Sequence, residues 1–412
     1  MSPRTGAAPR TPRTIAIVGG GLAAGEAAKT LRSEGFDGRL VVVAEEAHAP
    51  YERPPLSKEY LRGEAAADKA TVLDADLASE QRIELILGRA ATDLDLHARR
   101  LTLADGSRLP FDGLLLATGA TARVPVGPRP EWLHVLRTFE DADRIREAAR
   151  LASSTVVAGG GWIAAETAAS LRQLGLEVTL VVPGAEVLER SLGPVVGAMF
   201  RSVHESHGVR VVRGARVAGL AEPGPGLRLA DGSIVAGDLV VVGFGAAPRT
   251  ELAERAGLAV ADGIVVDEWL STAADGVLAA GDVASAWHPR YHERVRSEHW
   301  DNARRQARTA ARNLLGRAES YERVPYFFSD QFDLGMEVVG RFAASDEVVV
   351  RRVDDDAFIA FWLRDDRLTA ALHANVWGAK KTLERLVDQA VPVDGALLSD
   401  PAVPLVELAA AA

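Results

Sequence analysis

The stretch TIAIVGGGLAAGEAAKTLRSEG, residues 14–35, decides the fold of this 412-residue chain. A short run rich in β-branched residues leads into a glycine triplet, and small helix-forming residues follow it. This order predicts a buried strand, a tight turn and a helix. The next apolar run, RLVVVAEE at residues 39–46, predicts a second strand. Together these segments form one βαβ unit, so the sequence predicts an α/β protein.

Two further stretches show that this unit is duplicated. STVVAGGGWIAAETAASLRQLG, residues 154–175, repeats the first pattern 140 positions later, and LEVTLVVPG follows it as the next strand. LADGSRLPFDGLLLATGA, residues 103–120, matches LADGSIVAGDLVVVGFGA, residues 229–246, and Asp-Gly predicts a hairpin turn in both copies. The duplication predicts two domains of one architecture, each a Rossmann-like dinucleotide-binding domain.

The first glycine motif is Gly19-x-Gly21-x-x-Ala24. Gly19 permits the tight turn, Gly21 lets a pyrophosphate approach the backbone, and Ala24 keeps the helix close to the strand. Glu45 follows the next strand, 21 positions after Ala24, where a carboxylate accepts hydrogen bonds from ribose hydroxyls. The segment therefore predicts a dinucleotide site.

The second glycine motif, residues 159–164, has the same context but lacks the acid. Its next strand, LEVTLVV, ends in Val182 and Pro183, where the first unit has Glu45, and no arginine nearby supplies the usual clamp for a 2′-phosphate. The nearest charged residues are Glu186 and Arg190. The sequence therefore predicts a second dinucleotide site and leaves the choice between NADH and NADPH open.

Composition limits the chemistry. The chain contains no cysteine, which excludes disulfides, thiolate metal sites and thiol catalysis, and no metal site is predicted. Redox chemistry must then reside in bound cofactors, and two dinucleotide sites suggest a flavin held throughout turnover and a nicotinamide nucleotide that exchanges. The net charge of −10 argues against nucleic-acid binding. Apolar runs are too short to span a membrane, and residues 1–12 are predicted to be a flexible tail on a cytoplasmic protein.

The last part of the chain changes character. DEVVVRRV and AFIAFWLRDDRLTAALHANV predict antiparallel strands, and AKKTLERLVDQ predicts a helix, so residues 325–412 are expected to form an α+β domain. Upstream, AAGDVA places Asp282 at a strand end beside a helix start. There the carboxylate could bind a polyol such as the flavin ribityl chain, or it could merely close a turn.

Seven motifs in fixed order carry a family resemblance: VGGGLAAGEAA, YERPPLSK, LLLATGA, GGGWIAAE, LAAGDVA, EHWDNA and VPYFFSDQFDLGMEVVG. The chain resembles the NAD(P)H-dependent flavoprotein ferredoxin reductases of the glutathione-reductase-like fold, which serve haem-thiolate monooxygenases and ring-hydroxylating dioxygenases. The resemblance implies an FAD domain in two segments, residues 13–117 and 248–324. It further implies an inserted NAD(P)H domain, residues 118–247, and the C-terminal domain.

The resemblance also implies roles for particular residues. Glu45 would bind the adenosine ribose of FAD, Arg53 and Lys58 would lie along the flavin and pyrophosphate, and Trp300 would lie where electrons leave. Position alone favours reading Glu166 as a surface glutamate, because 108 residues separate it from Lys58. The family instead implies a catalytic Lys58–Glu166 ion pair. The further cofactor-binding residues that it implies are Gly19, Gly21, Leu22, Ala23, Ala24, Pro54, Thr118, Gly119, Arg123, Gly159, Gly161, Trp162, Ile163, Gly245, Asp282, Val283 and Ala303.

A basic segment suggests the partner. Residues 290–323 hold nine arginines against five acids on an acidic chain. Their helix could dock a small acidic iron–sulfur ferredoxin, or it could simply present a solvated face. The arginines concerned are Arg304, Arg305, Arg308 and Arg312.

Other functions of the same fold remain as alternatives. Disulfide reductases and cysteine-dependent peroxidases need a reactive thiol, which this chain lacks. A quinone or monodehydroascorbate-type reductase uses flavin alone and survives as an alternative. A protein like apoptosis-inducing factor, with slow reductase activity and a nucleotide-driven conformational switch, survives as well.

Overall fold

The computed structural model describes residues 12–125, 127, 129–390 and 392–408. The predicted flexible tail, residues 1–12, lies outside this part of the chain except for its last residue. The strands are β1 Thr14–Val18, β2 Arg39–Val43, β3 Ile83–Ile86, β4 Ala91–Asp95, β5 Arg100–Leu103, β6 Arg108–Pro110, β7 Gly113–Leu116, β8 Ala120–Ala122, β9 Leu133–His134, β10 Ser154–Ala158, β11 Glu177–Val181, β12 Arg210–Val212, β13 Val217–Leu220, β14 Gly226–Leu229, β15 Ile234–Ala236, β16 Leu239–Val242, β17 Ala246–Pro248, β18 Ile264–Val266, β19 Val277–Ala279, β20 Ala284–His288, β21 Glu293–Val295, β22 Tyr326–Gln331, β23 Leu334–Gly340, β24 Glu347–Asp354, β25 Ala357–Arg364 and β26 Arg367–Ala374.

The helices are α1 Leu22–Ser33, α2 Glu59–Arg62, α3 Ala75–Glu80, α4 Phe139–Leu151, α5 Trp162–Gln173, α6 Glu189–Ser206, α7 Glu251–Arg255, α8 Trp300–Leu314, α9 Lys380–Gln389, α10 Gly395–Ser399 and α11 Leu405–Leu408. Two 3₁₀ segments, Pro54–Ser57 and Ala67–Ala70, connect strands and helices. Within the described residues, no helix is both long and apolar enough to cross a membrane.

The chain divides into two units. The first comprises residues 12–53, 68–121 and 247–323, and the second comprises residues 54–67, 122–246 and 324–408. The FAD domain predicted from the sequence, residues 13–117 and 248–324, includes residues 54–67, which the structure groups with the second unit.

The first unit is built on a parallel five-stranded sheet in the order β19-β7-β1-β2-β3. The strand predicted from residues 14–18 lies at its centre, and its apolar side chains from Ile15 to Val18 are buried. Helix α1 packs its small residues into the core at helical spacing, since Ala24, Ala27, Ala28 and Leu31 all have no exposed surface. The predicted Rossmann-like unit is confirmed.

The second unit contains a matching parallel sheet in the order β12-β11-β10-β16-β9. Its C-terminal part is an antiparallel sheet, in the order β22-β23-β26-β25-β24, packed against helices α9 to α11. The two Rossmann-like domains and the C-terminal α+β domain are therefore confirmed as fold classes.

The duplication extends to polar details. In the first unit, Asp112 accepts hydrogen bonds from the backbone N–H groups of Arg13 and Thr14, at the start of β1. In the second, Asp238 accepts the same pair of bonds from Ser153 and Ser154, at the start of β10. Each repeated Asp thus ties the end of a hairpin to the start of the central strand and satisfies two backbone N–H groups there.

Candidate functional site

The glycine turn of the first unit leaves an open cradle. Gly19 has φ of +144°, and a Cβ atom there would lie 2.1 Å from the carbonyl oxygen of Ala117, so only glycine fits. A Cβ atom on Gly21 would meet nothing within 4 Å. Helix α1 begins at Leu22 with no side-chain cap, which leaves its first amides for a ligand. The cradle therefore fits a pyrophosphate group.

An arginine that the sequence did not predict lies beside the predicted ribose ligand. Arg249 Nη2 lies 2.6 Å from Glu45 Oε2. The Arg249 backbone is held by two predicted residues, because its carbonyl accepts the Thr118 hydroxyl at 2.7 Å and its N–H donates to the Gly119 carbonyl at 2.9 Å. Thr118 and Gly119 thus position Arg249 and through it Glu45. Arg249 follows the short strand β17 and belongs to no sequence motif or repeating pattern, so nothing in the sequence indicated its role.

Arg53 belongs to a polar cluster in the same unit. Its guanidinium donates to Glu46 at 2.9 Å and to the Tyr51 hydroxyl at 2.7 Å, and that hydroxyl donates in turn to Glu46. Burial lowers the pKa of Arg53, but Tyr51 and Glu46 outweigh burial and raise it. Arg53 is therefore a fixed positive charge.

The turn containing Asp282 lies against two predicted helix starts. A Cβ atom on Gly281, at φ +83°, would lie 3.2 Å from Ala23 Cβ on α1 and 3.8 Å from Ala303 Cβ on α8. Asp282 and Val283 follow Gly281, and the chain then enters strand β20 and not a helix. The helix start that lies beside this turn is that of α8, which comes later in the chain. Trp300 opens α8 and donates its indole N–H to Glu52.

The second glycine turn repeats the cradle. Gly159 has φ of +149°, and a Cβ atom there would lie 2.3 Å from the carbonyl oxygen of Gly243. Gly161 again faces open space, and α5 begins at Trp162 without a side-chain cap. Trp162 stacks on Phe327 with 4.3 Å between ring centroids, and the next residue, Ile163, is 44% exposed.

Arg123 lies on a strand end of this unit. Its N–H donates to the Gly245 carbonyl at 2.9 Å, and its Nε donates to the Ala246 carbonyl at 3.0 Å. Gly245 has φ of +88° and open space around a Cβ atom. Both predicted residues are therefore tied together after β16, where parallel sheets bind their ligands.

The structure narrows the predicted position of the missing acid, Val182 or Pro183, to one residue. The N–H of Gly159 bonds to Val181 as that of Gly19 bonds to Val43, so Val182 corresponds to Ala44. Pro183, one residue further, stands in the place of Glu45. Val182 has no exposed surface and cannot face a ribose. Strand β11 itself ends at Val181, before the strand end that the sequence pattern indicated.

Lys58 and Glu166 form the predicted ion pair. Lys58 Nζ lies 3.0 Å from Glu166 Oε1, and the two side chains are 10% and 6% exposed. Lys58 precedes α2, and Glu166 lies in the second turn of α5. The alternative interpretation, that Glu166 is an ordinary surface glutamate, is wrong, because Glu166 is buried in the second unit.

A chain of hydrogen bonds continues from Glu166. Its carboxylate accepts the Ser57 hydroxyl and, at 2.7 Å, the Ser329 hydroxyl. Gln331 donates to Ser329 at 3.1 Å, and Gln331 Oε1 lies 2.8 Å from His204 Nε2. Since an amide oxygen only accepts, His204 must carry its proton on Nε2. Sequence reasoning missed these residues, which come from three separate segments.

The predicted basic face on α8 is shared with acids. Arg308 and Arg304 face Glu26 at 2.9 and 3.9 Å. Arg312 pairs with Glu34 and Glu319, and Arg305 pairs with Asp301 at 3.3 Å. Each arginine retains between 32% and 40% side-chain exposure. The face is thus accessible but largely neutralised.

Comparison with known proteins covers nearly the whole chain. Residues 13–307 match the pyridine nucleotide-disulphide oxidoreductase family, and residues 326–409 match the reductase C-terminal family. The chain is 38% identical over 397 residues to the anthranilate 1,2-dioxygenase system ferredoxin–NAD(+) reductase component of Burkholderia cepacia, covering 94% of this chain and 97% of the relative. It is 35% identical over 409 residues to putidaredoxin reductase of Pseudomonas putida, covering 97% of each.

Solved structures of ferredoxin reductases are also similar to this chain along nearly its whole length. The ferredoxin reductase for the CYP199A2 system of Rhodopseudomonas palustris superposes with a TM-score of 0.92 at 34% identity, covering 96% of this chain and all of that one. Putidaredoxin reductase in its covalent complex with putidaredoxin also gives 0.92, at 35% identity, covering 97% and 99%.

Proposed function

The chain belongs to the pyridine nucleotide-disulphide oxidoreductase family, and we propose that it is an FAD-dependent ferredoxin reductase. The observation that carries this proposal is the pair of open glycine cradles on a chain without cysteine. Two dinucleotides can bind, yet no thiol can relay electrons, so electrons must pass directly from cofactor to partner. The similarity to ferredoxin reductases along nearly the whole chain supports the same proposal.

FAD would be held by the first unit. The cradle at Gly19 and Gly21 would take the pyrophosphate, Glu45 with Arg249 the adenosine ribose, and Asp282 the ribityl chain. When bound, FAD accepts a hydride from the nicotinamide and releases its two electrons singly. The chain's own residues bind and orient the cofactor and supply fixed charge.

NADH or NADPH would be held by the second unit. The cradle at Gly159 and Gly161 would take the pyrophosphate, with the amides of Trp162 and Ile163 opening the helix. Arg123 and Gly245, at the end of β16, would line the same site. We further propose that residues 118–247 act as the nucleotide domain and that residues 325–412 form a separate functional domain.

Lys58 and Glu166 are proposed as the catalytic pair. The buried Glu166 carboxylate accepts two hydroxyl hydrogen bonds, which fix its orientation. It holds the Lys58 ammonium at a defined position, and such a preorganised charge stabilises negative charge developing during hydride transfer without reorganisation. No general base is required for this step.

The partner is proposed to be a small acidic iron–sulfur ferredoxin that serves a cytochrome monooxygenase or a ring-hydroxylating dioxygenase in the cytoplasm. We propose docking on the α8 face with Arg304, Arg305, Arg308 and Arg312. The observed carboxylate partners reduce the field of this face. Electrostatic attraction there should therefore be modest and local.

The decisive experiment is steady-state reduction of several small iron–sulfur proteins by the FAD-loaded protein, with NADH and NADPH side by side. Rapid reduction of at least one ferredoxin, coupled to cytochrome reduction, is expected. Slow reduction of every ferredoxin, together with a long-lived charge-transfer band and a nucleotide-driven change in oligomer size, would instead favour a conformational switch. Efficient reduction of quinones alone would favour a quinone reductase.

A further inference from the structure

We propose that Glu186, Arg201 and Arg213 form a selector for the adenosine 2′ position of the nicotinamide nucleotide, and that the chain accepts NADPH as well as NADH. This inference rests on the proposed function in one respect, that the second glycine cradle binds a nicotinamide nucleotide. The three residues are called the selector below. None of them belongs to the glycine motif or to the Lys58–Glu166 pair.

The selector lies at the end of β11 where an adenosine ribose is bound in this fold. A Cβ atom on Gly160, in the glycine turn, would lie 3.3 Å from the Pro183 ring. Arg213 directly follows the neighbouring parallel strand β12. The N–H of Gly214 donates to the Gly184 carbonyl at 2.7 Å, which fixes Arg213 next to the end of β11. Ligands of parallel sheets bind at these carboxyl ends.

Neither Pro183, which stands in place of the usual acid, nor the nearby Glu186 is suited to bind the ribose hydroxyls. Pro183 has no side-chain acceptor, and the nearest carboxylate, Glu186, is already engaged. Its two oxygens lie 2.7 Å from Arg201 and 3.2 Å from Arg213, and its side chain is only 12% exposed. The pairing with Glu186 is the leading reason that the pKa of Arg201 is raised. Glu45 is also paired with an arginine, but its side chain is 53% exposed, whereas Glu186 is both paired and mostly buried. Glu186 is therefore less able than Glu45 to bind two ribose hydroxyls, and it repels a phosphate less than a free carboxylate would.

The next carboxylate is engaged as well. Glu189 Oε2 accepts the backbone N–H groups of Ala185 at 2.6 Å and of Glu186 at 3.1 Å, which holds the loop after β11 in place. Glu205 pairs with Arg201 at 2.6 Å. Glu186, Glu189 and Glu205 are thus all paired or hydrogen-bonded, which weakens the repulsion that a free carboxylate would exert on a 2′-phosphate.

Arg213 supplies a positive ligand for a 2′-phosphate. Its side chain is 48% exposed, and it is attached to Glu186 by the longer of the two contacts. A guanidinium binds phosphate with paired donors, but here the phosphate must compete with Glu186 for them. NADP⁺ and NAD⁺ should therefore bind with affinities within about tenfold of each other, since the two effects nearly cancel.

The test is calorimetric titration of the FAD-loaded protein with NAD⁺ and with NADP⁺, which differ only in the 2′-phosphate. Glu186→Gln should strengthen NADP⁺ binding about tenfold, because it frees the guanidinium of Arg213 while Arg201 stays paired with Glu205, and should change NAD⁺ binding less than about threefold. Arg213→Gln should weaken NADP⁺ binding about tenfold and leave NAD⁺ nearly unchanged. Arg150→Gln, an exposed position on α4, is the matched control and should change neither.

The outcomes separate the two proposals. NAD⁺ binding with a preference for NAD⁺ over NADP⁺ of a hundredfold or more, unaltered by either selector variant, would overturn the selector and leave the proposed function standing. Absence of binding by both nucleotides to folded, FAD-loaded protein would instead overturn the proposed function. Circular dichroism and FAD content of each variant establish that it is folded, and Arg213→Lys provides a second variant whose charge is kept but whose paired donors are lost.

Discussion

Lys58 Nζ lies 3.0 Å from Glu166 Oε1, and both side chains are almost completely buried in the second unit. An ion pair in this environment is expensive to assemble, because both charges leave water. Glu166 is compensated by two hydroxyl donors in addition to the ammonium. A fold that maintains such a pair at a helix start, close to an open glycine cradle, gains little stability from it. The catalytic role proposed for the pair would account for its retention.

The first prediction concerns the lysine itself. Lys58→Met should lower the rate of flavin reduction by NADH by about a hundredfold, the usual effect of removing one preorganised charge. FAD content should stay near that of the unaltered protein. Stopped-flow absorbance of the bound flavin measures the rate, and the flavin-to-protein ratio measures the content.

Lys381→Met is the matched control, because Lys381 is an exposed lysine on α9 of the same unit. It should leave the rate of reduction unaltered. An unchanged rate in Lys58→Met, with the flavin fully bound, would remove the lysine from the mechanism.

The second prediction concerns Ser329. Its hydroxyl is oriented by Gln331, so that its proton points to Glu166, and the serine has no exposed surface. Ser329→Ala should lower the free energy of unfolding by about 1 kcal/mol, the net value of one hydrogen bond. It should also slow flavin reduction at saturating NADH while leaving the Kd of NAD⁺ unchanged, because the serine positions Glu166 without binding nucleotide.

Ser329→Thr keeps the hydroxyl and should restore the rate of reduction. If Ser329→Ala lowered stability alone, with reduction as fast as before, the serine would have a structural role only. Denaturant unfolding and stopped-flow reduction of the same preparations decide between these results.

The third prediction separates the two glycines of the first cradle. Gly21→Ala should retain the fold but lose FAD, because its Cβ would occupy the open space in which a pyrophosphate binds. Gly19→Ala should destabilise the protein itself, since its Cβ would collide with the Ala117 carbonyl and its φ is positive. The melting temperature of the FAD-free protein and the FAD content after reconstitution distinguish them. Equal loss of melting temperature in both variants would contradict this assignment.

Much of this architecture could be predicted from the sequence. The spacing of apolar residues and of glycines is a local property of the sequence. It therefore predicted the two βαβ units and the glycine turns at Gly19 and Gly159. The Lys58–Glu166 pair was predictable only through the family resemblance, since no local pattern joins residues so far apart. The place of the missing acid could be predicted only as Val182 or Pro183, because a sequence pattern does not fix a strand end to one residue.

The remaining contacts had no signal in the sequence. Arg249 reaches Glu45 from a segment that follows a short strand, and His204, Gln331 and Ser329 meet only in the folded chain. The ion pairs of α8 were hidden for the same reason, because Glu26 and Glu34 come from α1 and the turn after it. Contacts between single polar residues that are distant in the chain leave no repeating pattern in the sequence.

The fourth prediction concerns pH. Burial, with a smaller contribution from His207, lowers the pKa of His204 to about 4, although Gln331 opposes this shift. In the unfolded chain a histidine takes up its proton near pH 6.5. The unfolded state therefore binds more protons between these values, so stability is fully present above about pH 6.5 and falls as the pH falls towards about 4. The loss attributable to His204 is at most about 3 kcal/mol.

His204→Asn keeps a donor for Gln331 but cannot be protonated. Its free energy of unfolding in urea should fall less steeply between pH 6.5 and pH 4.5 than that of the unaltered protein. Parallel curves for the two proteins would show that His204 does not titrate on unfolding in this range.

The fifth prediction concerns ferredoxin docking on α8. Arg305 is the most exposed of the four arginines on α8, at 40%, and it contacts the carboxylate of Asp301, on the preceding turn, at 3.3 Å. Arg305→Glu should raise the KM for an acidic ferredoxin about fivefold at low salt, because it reverses an accessible charge. The difference should disappear in 0.5 M salt, where screening acts within a few ångströms. Arg108→Glu, an exposed position on β6, is the matched control for the change in net charge. A KM that responds equally to both reversals, or that shows no dependence on salt, would place docking elsewhere on the protein, since attraction at a specific face must depend on the sign of the charge at that face.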